Sequence, residues 1–132
     1  MARVTQLTIQ AEHRPGVLAS ICSELAKKAV NITAVMAAPD QSGGVRIVAA
    51  PHPTARKVLD DLKLPYREEE ALAIRIDDRP GALGKATRKL ADKGLNVLYA
   101  YGSIVKGEER ALIILGVSDL AKAEETLKGQ LR

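Results

Sequence analysis

The sequence predicts an α+β chain made of two copies of one β-α-β-β-α unit, each with an antiparallel sheet and its helices on one face, and three observations lead there. The turn Arg14-Pro15-Gly16 recurs as Arg79-Pro80-Gly81, and Asn31 recurs as Asn96, an offset of 65 residues at both landmarks (79 − 14 and 96 − 31). A constant offset marks two copies of one structural unit. Within each copy the apolar period alternates between two, as in a half-buried strand, and three to four, as in a helix stripe. Clusters rich in Pro, Gly, Asn, Asp and Ser stand where the period changes, as connecting turns require.

Residues 4–11 open the first copy, with Leu7, Ile9 and Ala11 alternating with polar neighbours; one face of that strand is core. From Pro15 onward, Leu18, Ile21, Cys22, Leu25, Ala26 and Ala29 fall on one stripe of a helix. Asn31 interrupts the stripe, and residues 32–36 return to β-favouring types before the turn at 39–44 and a partner strand at 45–49. Pro51 and Pro53 stop that strand, Thr54 is placed to cap a helix, and Ala55, Val58, Leu59 and Leu62 form its inner stripe. Residues 65–70 supply a fourth strand, charged enough for an edge.

The second copy repeats the plan. Leu72, Ile74 and Ile76 are the inward set of its first strand, and Leu83, Ala86, Leu90 and Ala91 its helix stripe. Strands are expected at 97–101 and 111–117 around a turn at 106–108, and Ser118 or Asp119 caps a last helix carrying Leu120, Ala123 and Leu127. Because Tyr66 corresponds to Leu131, this copy lacks most of its last strand, and its first strand is expected to keep an open edge. The domain division implied is 1–70 and 71–132.

Composition bounds the function. No apolar run is long enough to span a bilayer, and no basic-then-apolar leader opens the chain, so a cytoplasmic protein with no membrane partner is expected. The net charge of +4 comes from Lys and Arg interleaved with Asp and Glu, which predicts a solvated surface and no nucleic-acid partner. Cys22 is alone and falls on the apolar stripe, where it is a small hydrophobe. His13, His52 and Cys22 have no metal-ligand spacing, so neither metal nor cofactor is expected. An RNA-reading sheet would carry stacking aromatics, yet Phe and Trp are absent. Gly84-Lys85-Ala86-Thr87 lacks the upstream glycine of a phosphate loop, and no nucleophile stands with a base; an enzyme is not expected.

The start of each first helix carries the informative chemistry. Pro15 suits the first helical position, which would make Arg14 the cap residue, and arginine cannot accept a bond from the amides of Gly16 and Val17. Those donors, with the helix dipole, are then open to a carboxylate. Arg79, Pro80, Gly81 and Ala82 repeat the arrangement. Asn31 and Asn96 can donate to a carboxylate and accept from an ammonium, a combination suited to a free amino acid. Spacing alone equally allows Arg-Pro-Gly to be a plain strand-to-helix turn and each Asn a helix terminator.

A β-α-β-β-α-β order is ferredoxin-like, and a strand followed by Arg-Pro-Gly-x-Leu, an amphipathic helix and Asn-Ile or Asn-Val resembles the ACT domain, the small-molecule regulatory module of amino-acid metabolism. The resemblance covers nearly the whole chain, in two copies. It implies amino-acid ligands held between domains by His13, Arg14, Pro15, Gly16, Val17, Leu18 and Asn31, and by Asp78, Arg79, Pro80, Gly81, Ala82, Leu83 and Asn96. His13 and Asp78 stand where serine-binding members commonly have asparagine, and Ala11 and Ile76 occupy a position that can be polar, so the two sites are expected to differ in preference. The resulting expectation is a homodimeric, amino-acid-binding regulatory protein. A regulatory subunit of a separate enzyme and a structural dimer without ligand are the alternatives.

Overall fold

A computed structural model of the chain describes residues 3–12, 14–38, 44–103 and 106–128. The elements run β1 (Arg3–Ile9), α1 (Val17–Lys27), β2 (Asn31–Ala38), β3 (Gly44–Ala50), α2 (His52–Asp61), β4 (Tyr66–Asp77), α3 (Ala82–Asp92), β5 (Val97–Ser103), β6 (Arg110–Val117) and α4 (Leu120–Thr126). The chain divides into two compact units, Thr5–Glu69 and Met1–Val4 with Glu70–Arg132. Strands β1 and β4 each contribute one part to either unit.

In the first unit the strand order is β2-β3-β1-β4. The β1–β3 ladder pairs Leu7 with Ile47 and Ile9 with Val45, and β2 pairs with β3 from Asn31↔Ala50 to Ala38↔Gly44, with an irregularity between Ile32 and Ala34. Leu7, Ile9 and Ile47 from the sheet meet Leu25 of α1 and Leu59 of α2, all fully buried. Each such side chain contributes about 1.5–3 kcal/mol by leaving water. Thr8 and Arg46 are also buried, and both side chains meet the Glu69 carboxylate, the Arg46 Nε at 3.5 Å, so the buried charge has its counter-ion. On the exposed side, Tyr66 donates a 2.9 Å hydrogen bond to Asp60, which pushes the phenol pKa up.

In the second unit the order is β5-β6-β4, with the Arg3–Val4 start of β1 on the other side of β4. The ladders run Leu72↔Leu115 to Asp77↔Arg110 and Val97↔Val117 to Ser103↔Leu112. Leu72, Ile74, Leu90, Leu115 and Leu127 form the core here.

Several expectations are revised. The first strand of the second copy has no open edge: Arg3 and Val4 occupy that position, and the Arg3 guanidinium binds Glu124 Oε1 at 2.6 Å and Glu70 Oε2 at 3.0 Å, which raises its pKa further. Leu131, the counterpart of Tyr66, lies outside the described residues. The strand expected at 65–70 and the first strand of the second copy are one continuous β4. Helix α2 begins at His52 after Pro51, not at Thr54, because Pro51 is extended and Pro53 already has helix-compatible φ. Leu18, Leu62 and Leu83, assigned to inner stripes, are 39%, 37% and 42% exposed, since each lies at or just past a helix end. Ala26, Ala29 and Ala91 are exposed too, and Cys22 is half-buried.

Candidate functional site

The two Arg-Pro-Gly segments form nearly identical turns. Helices α1 and α3 start at Val17 and Ala82, so Pro15 and Pro80 precede the helix and the caps are Gly16 and Gly81, not Arg14 and Arg79. The glycines have φ +87° and +86°, a left-handed conformation that a side chain resists. A Cβ on either would meet nothing within 4 Å, so each glycine serves the backbone conformation and lies beside open space. Gly16 and Gly81 carbonyls accept the first helical bonds, from Ser20 and Lys85 at 2.9 Å.

Among the described residues no side chain caps either helix. The Val17 amide, expected to face outward, closes a long turn bond to the Arg14 carbonyl at 3.4 Å, and Ala82 does the same to Arg79 at 3.3 Å. Among the described residues, the donors left without a backbone acceptor at the two helix starts include the amides of Leu18 and Ala19 and those of Leu83 and Gly84.

Acidic partners of the arginines escaped the sequence reading. Arg14 Nε contacts Glu12 Oε2 at 2.7 Å, and Arg79 lies 3.4 Å from Asp77, which also meets Arg110 at 3.9 Å. The pattern acid-x-Arg at residues 12–14 and 77–79 repeats at the same offset and was the available signal. Asp78 is exposed and its amide donates to the Glu109 carbonyl at 2.9 Å; His13 lies outside the described residues.

Asn31 opens β2 and Asn96 immediately precedes β5; both are exposed. Neither terminates a helix. Helix α1 ends where the Ala29 amide donates to Ala26 and the Val30 amide to Leu25, both at 3.0 Å, with Ala29 at φ +57°. Gly94 and Leu95 make the same pair of bonds to Ala91 and Leu90, with Gly94 at φ +73°. These paired bonds around a left-handed residue complete the stop, and the apolar residue behind them, Val30 or Leu95, is buried. The asparagine amides are thus not consumed in ending the helix. The Asn96 backbone is held instead by Ser118, whose Oγ accepts from the Asn96 amide and whose amide donates to the Asn96 carbonyl, both at 3.0 Å.

A single unit does not bring its turn and its asparagine together. Ile9, at the turn end of β1, pairs with Val45, whereas Asn31 pairs with Ala50; five residue steps along β3 separate them by about 17 Å. In the second unit Asp77 pairs with Arg110 and Val97 with Val117, a separation along β6 of about 23 Å. Among the described residues no group of three or more His, Cys, Asp or Glu side chains is arranged to hold a metal. Among the described residues no helix is long and apolar enough to cross a membrane.

In the first unit a cleft of about 240 Å³ opens beside the turn. Its apolar side is formed by Ala11, Val17, Ile21, Leu62 and Leu64, and its polar side by Glu12, Arg14 and Ser20.

The profile of the family described as "ACT domain pair" matches residues 2–130. Among solved structures, protein BT0572 from Bacteroides thetaiotaomicron is similar with a TM-score of 0.88 and 26% identity over 97% of this chain and 88% of that one. The regulatory subunit of aspartate kinase from Thermus thermophilus is similar with a TM-score of 0.64 and 13% identity over 99% and 93% of the two chains. The corresponding subunit from Thermus flavus gives 0.62 and 17% over 97% and 90%. No curated protein sequence matches at a significant level.

Proposed function

The chain belongs to the family of paired ACT domains, and on that premise we propose that it is a regulatory protein that binds a free amino acid. The turn of one unit receives the carboxylate and an asparagine at the start of a second strand in another unit receives the ammonium. The observation that carries this reading is the duplicated helix start, left-handed at Gly16 and Gly81, without a side-chain cap and open to solvent. Helix N-terminal amides and the dipole favour an anion there. Asn31 and Asn96 suit the rest of a zwitterion, since an amide donates and accepts. Their distance from the turn within each unit makes a second unit necessary, and a homodimer supplies one. A ligand spanning two units favours the arrangement that completes its site, and that differential affinity is the regulatory signal.

Mixing two defective chains tests this. Gly16→Asp puts a carboxylate where the carboxylate of the ligand would sit, and Asn31→Ala removes the amide. If a site takes one group from each of two chains, neither variant binds at that site, but mixed dimers regain one intact site, about a quarter of the sites of that kind after random exchange in a two-fold dimer. Calorimetry that finds no recovery in the mixture removes the shared site between chains.

A second reading, a regulatory subunit of a separate enzyme, draws support from the Thermus neighbours, which are regulatory subunits of aspartate kinase. Co-purification of an enzyme with the tagged chain tests it.

A further inference from the structure

The sheet of the first unit ends at β2, in the order β2-β3-β1-β4. An edge strand presents a row of unpaired amides and carbonyls, and proteins guard such rows with charged side chains or proline. The other end of this sheet is guarded in that way, since β4 carries Arg67, Glu68 and Glu69 there. Strand β2 is not, because its eight residues from Asn31 to Ala38 include no charge and no proline. Among the described residues, the exposed large apolar side chains that lie in strands are Val35 at 48% and Leu98 at 59%, and both strands are edges. Leu98 falls within the irregularity between Val97 and Tyr99, a break that itself blunts an edge. Val35 lies in the regular run from Ala34 to Ala38.

Val35 pairs with Ile47, which is fully buried with Leu25 and Leu59 of the two helices, so Val35 stands on the helix side of the sheet, beyond the cover those helices give. A second β2 laid antiparallel about a two-fold axis through Val35 sets that side chain against its own copy and Ala34 opposite Met36, and it opposes no charge to a like charge. The same axis reverses the strand. Within one unit Asn31 and the turn end of β1 are separated along β3 by about 17 Å, because they stand at opposite ends of the sheet. Ala38 pairs with Gly44, next to the Ile9↔Val45 pair at the turn end, so in the antiparallel arrangement Asn31 of each chain arrives at the turn end of the other. The separation along the strands is removed, and three strand spacings, about 14 Å, remain across the sheet.

We propose that β2 is the surface through which two copies of this chain pair, antiparallel and centred on Val35, and that the pairing brings Asn31 of one chain to the helix start of the other. The pairing stands on the strand itself, and its completion of a ligand site rests on the amino-acid-binding reading above.

Sedimentation equilibrium of the full chain without ligand should show a dimer. Val35→Lys and Val35→Glu each put like charges face to face and should weaken the dimer roughly tenfold or more, with circular dichroism confirming the fold, while an equimolar mixture of the two should recover it. Leu98→Lys should leave the dimer unchanged. Val35→Cys in a Cys22→Ala chain should oxidise to a covalent dimer, because directly opposed positions lie about 4.5–5.5 Å apart, within the span of a disulfide. A monomeric chain, or a dimer untouched by both charged variants, overturns the β2 pairing. A dimer with these properties whose melting temperature no amino acid raises keeps the pairing and overturns amino-acid binding. If monomeric Val35→Lys binds its amino acid as tightly as the native chain, the pairing stands and the shared site is overturned.

Discussion

Exchanging the residues at positions 29 and 94 measures the strain at the helix stops that place the two asparagines. Both positions close the same paired bonds, and both are left-handed, Ala29 at φ +57° and Gly94 at φ +73°. Alanine in that conformation costs about 1–2 kcal/mol from crowding of its Cβ, and glycine avoids it at an entropic cost of about 0.5–1 kcal/mol. Ala29→Gly should therefore stabilise the chain by roughly 0.5–1 kcal/mol, the difference between those terms. Gly94→Ala should destabilise it by a similar amount, since a Cβ there meets nothing within 4 Å and backbone strain is the whole effect. Ala29 is exposed, so no packing is lost in the first exchange. Urea unfolding should show the midpoint moving in opposite directions with an unchanged slope, the mark of a stability change without a change in surface exposed. Loss of stability in Ala29→Gly would refute the account of how α1 stops, and with it the argument that Asn31 is not needed to end the helix.

Other perturbations have defined outcomes. Gly16→Asp and Gly81→Asp put a carboxylate beside the helix start in a backbone conformation that aspartate tolerates better than most residues, so the fold should persist by circular dichroism while calorimetry shows ligand binding lost at the altered site. Asp119→Ala removes the side-chain bond from the Lys122 amide at the start of α4 and should cost about 1 kcal/mol in urea unfolding; no change would mean the cap is not formed in solution. Because the Asp60 hydrogen bond favours the neutral Tyr66 phenol, its stabilisation is fully present below the unfolded tyrosine pKa of about 10 and is lost as pH rises through the higher folded value. Ultraviolet titration should show one tyrosine ionising late and returning toward the ordinary range in Asp60→Asn; three unshifted tyrosines would contradict the bond.

The duplicated plan was legible because the offset survives at every landmark, and alternation of Leu7 and Ile9, or of Leu72 and Ile74, reports directly on which face is buried. Less legible was how far each element runs. A Pro-Gly pair is compatible with helix starts two residues apart, so the sequence puts Gly16 inside the helix although it stands before it in a left-handed turn. Periodicity marks a stripe but not where the sheet beneath it ends, so Leu18 and Leu83 read as core in the sequence and are exposed in the structure. The sharing of β1 and β4 between units depends on pairing between residues far apart in sequence, and no local pattern around Arg3 or Glu70 reports it. The sequence marks both asparagines as break points, but only the bonds of Ala29 and Gly94 show that they are free of the helix stop.

The most direct test of amino-acid binding is the melting temperature of the chain with each protein amino acid added singly at millimolar concentration, followed by calorimetry on any that shifts it. A ligand that binds only the folded state raises the melting temperature by mass action, so even a weak site registers. The account predicts a selective rise for one amino acid or a small related set, diminished in Gly16→Asp and in Asn31→Ala. A melting temperature unmoved by every amino acid would contradict it.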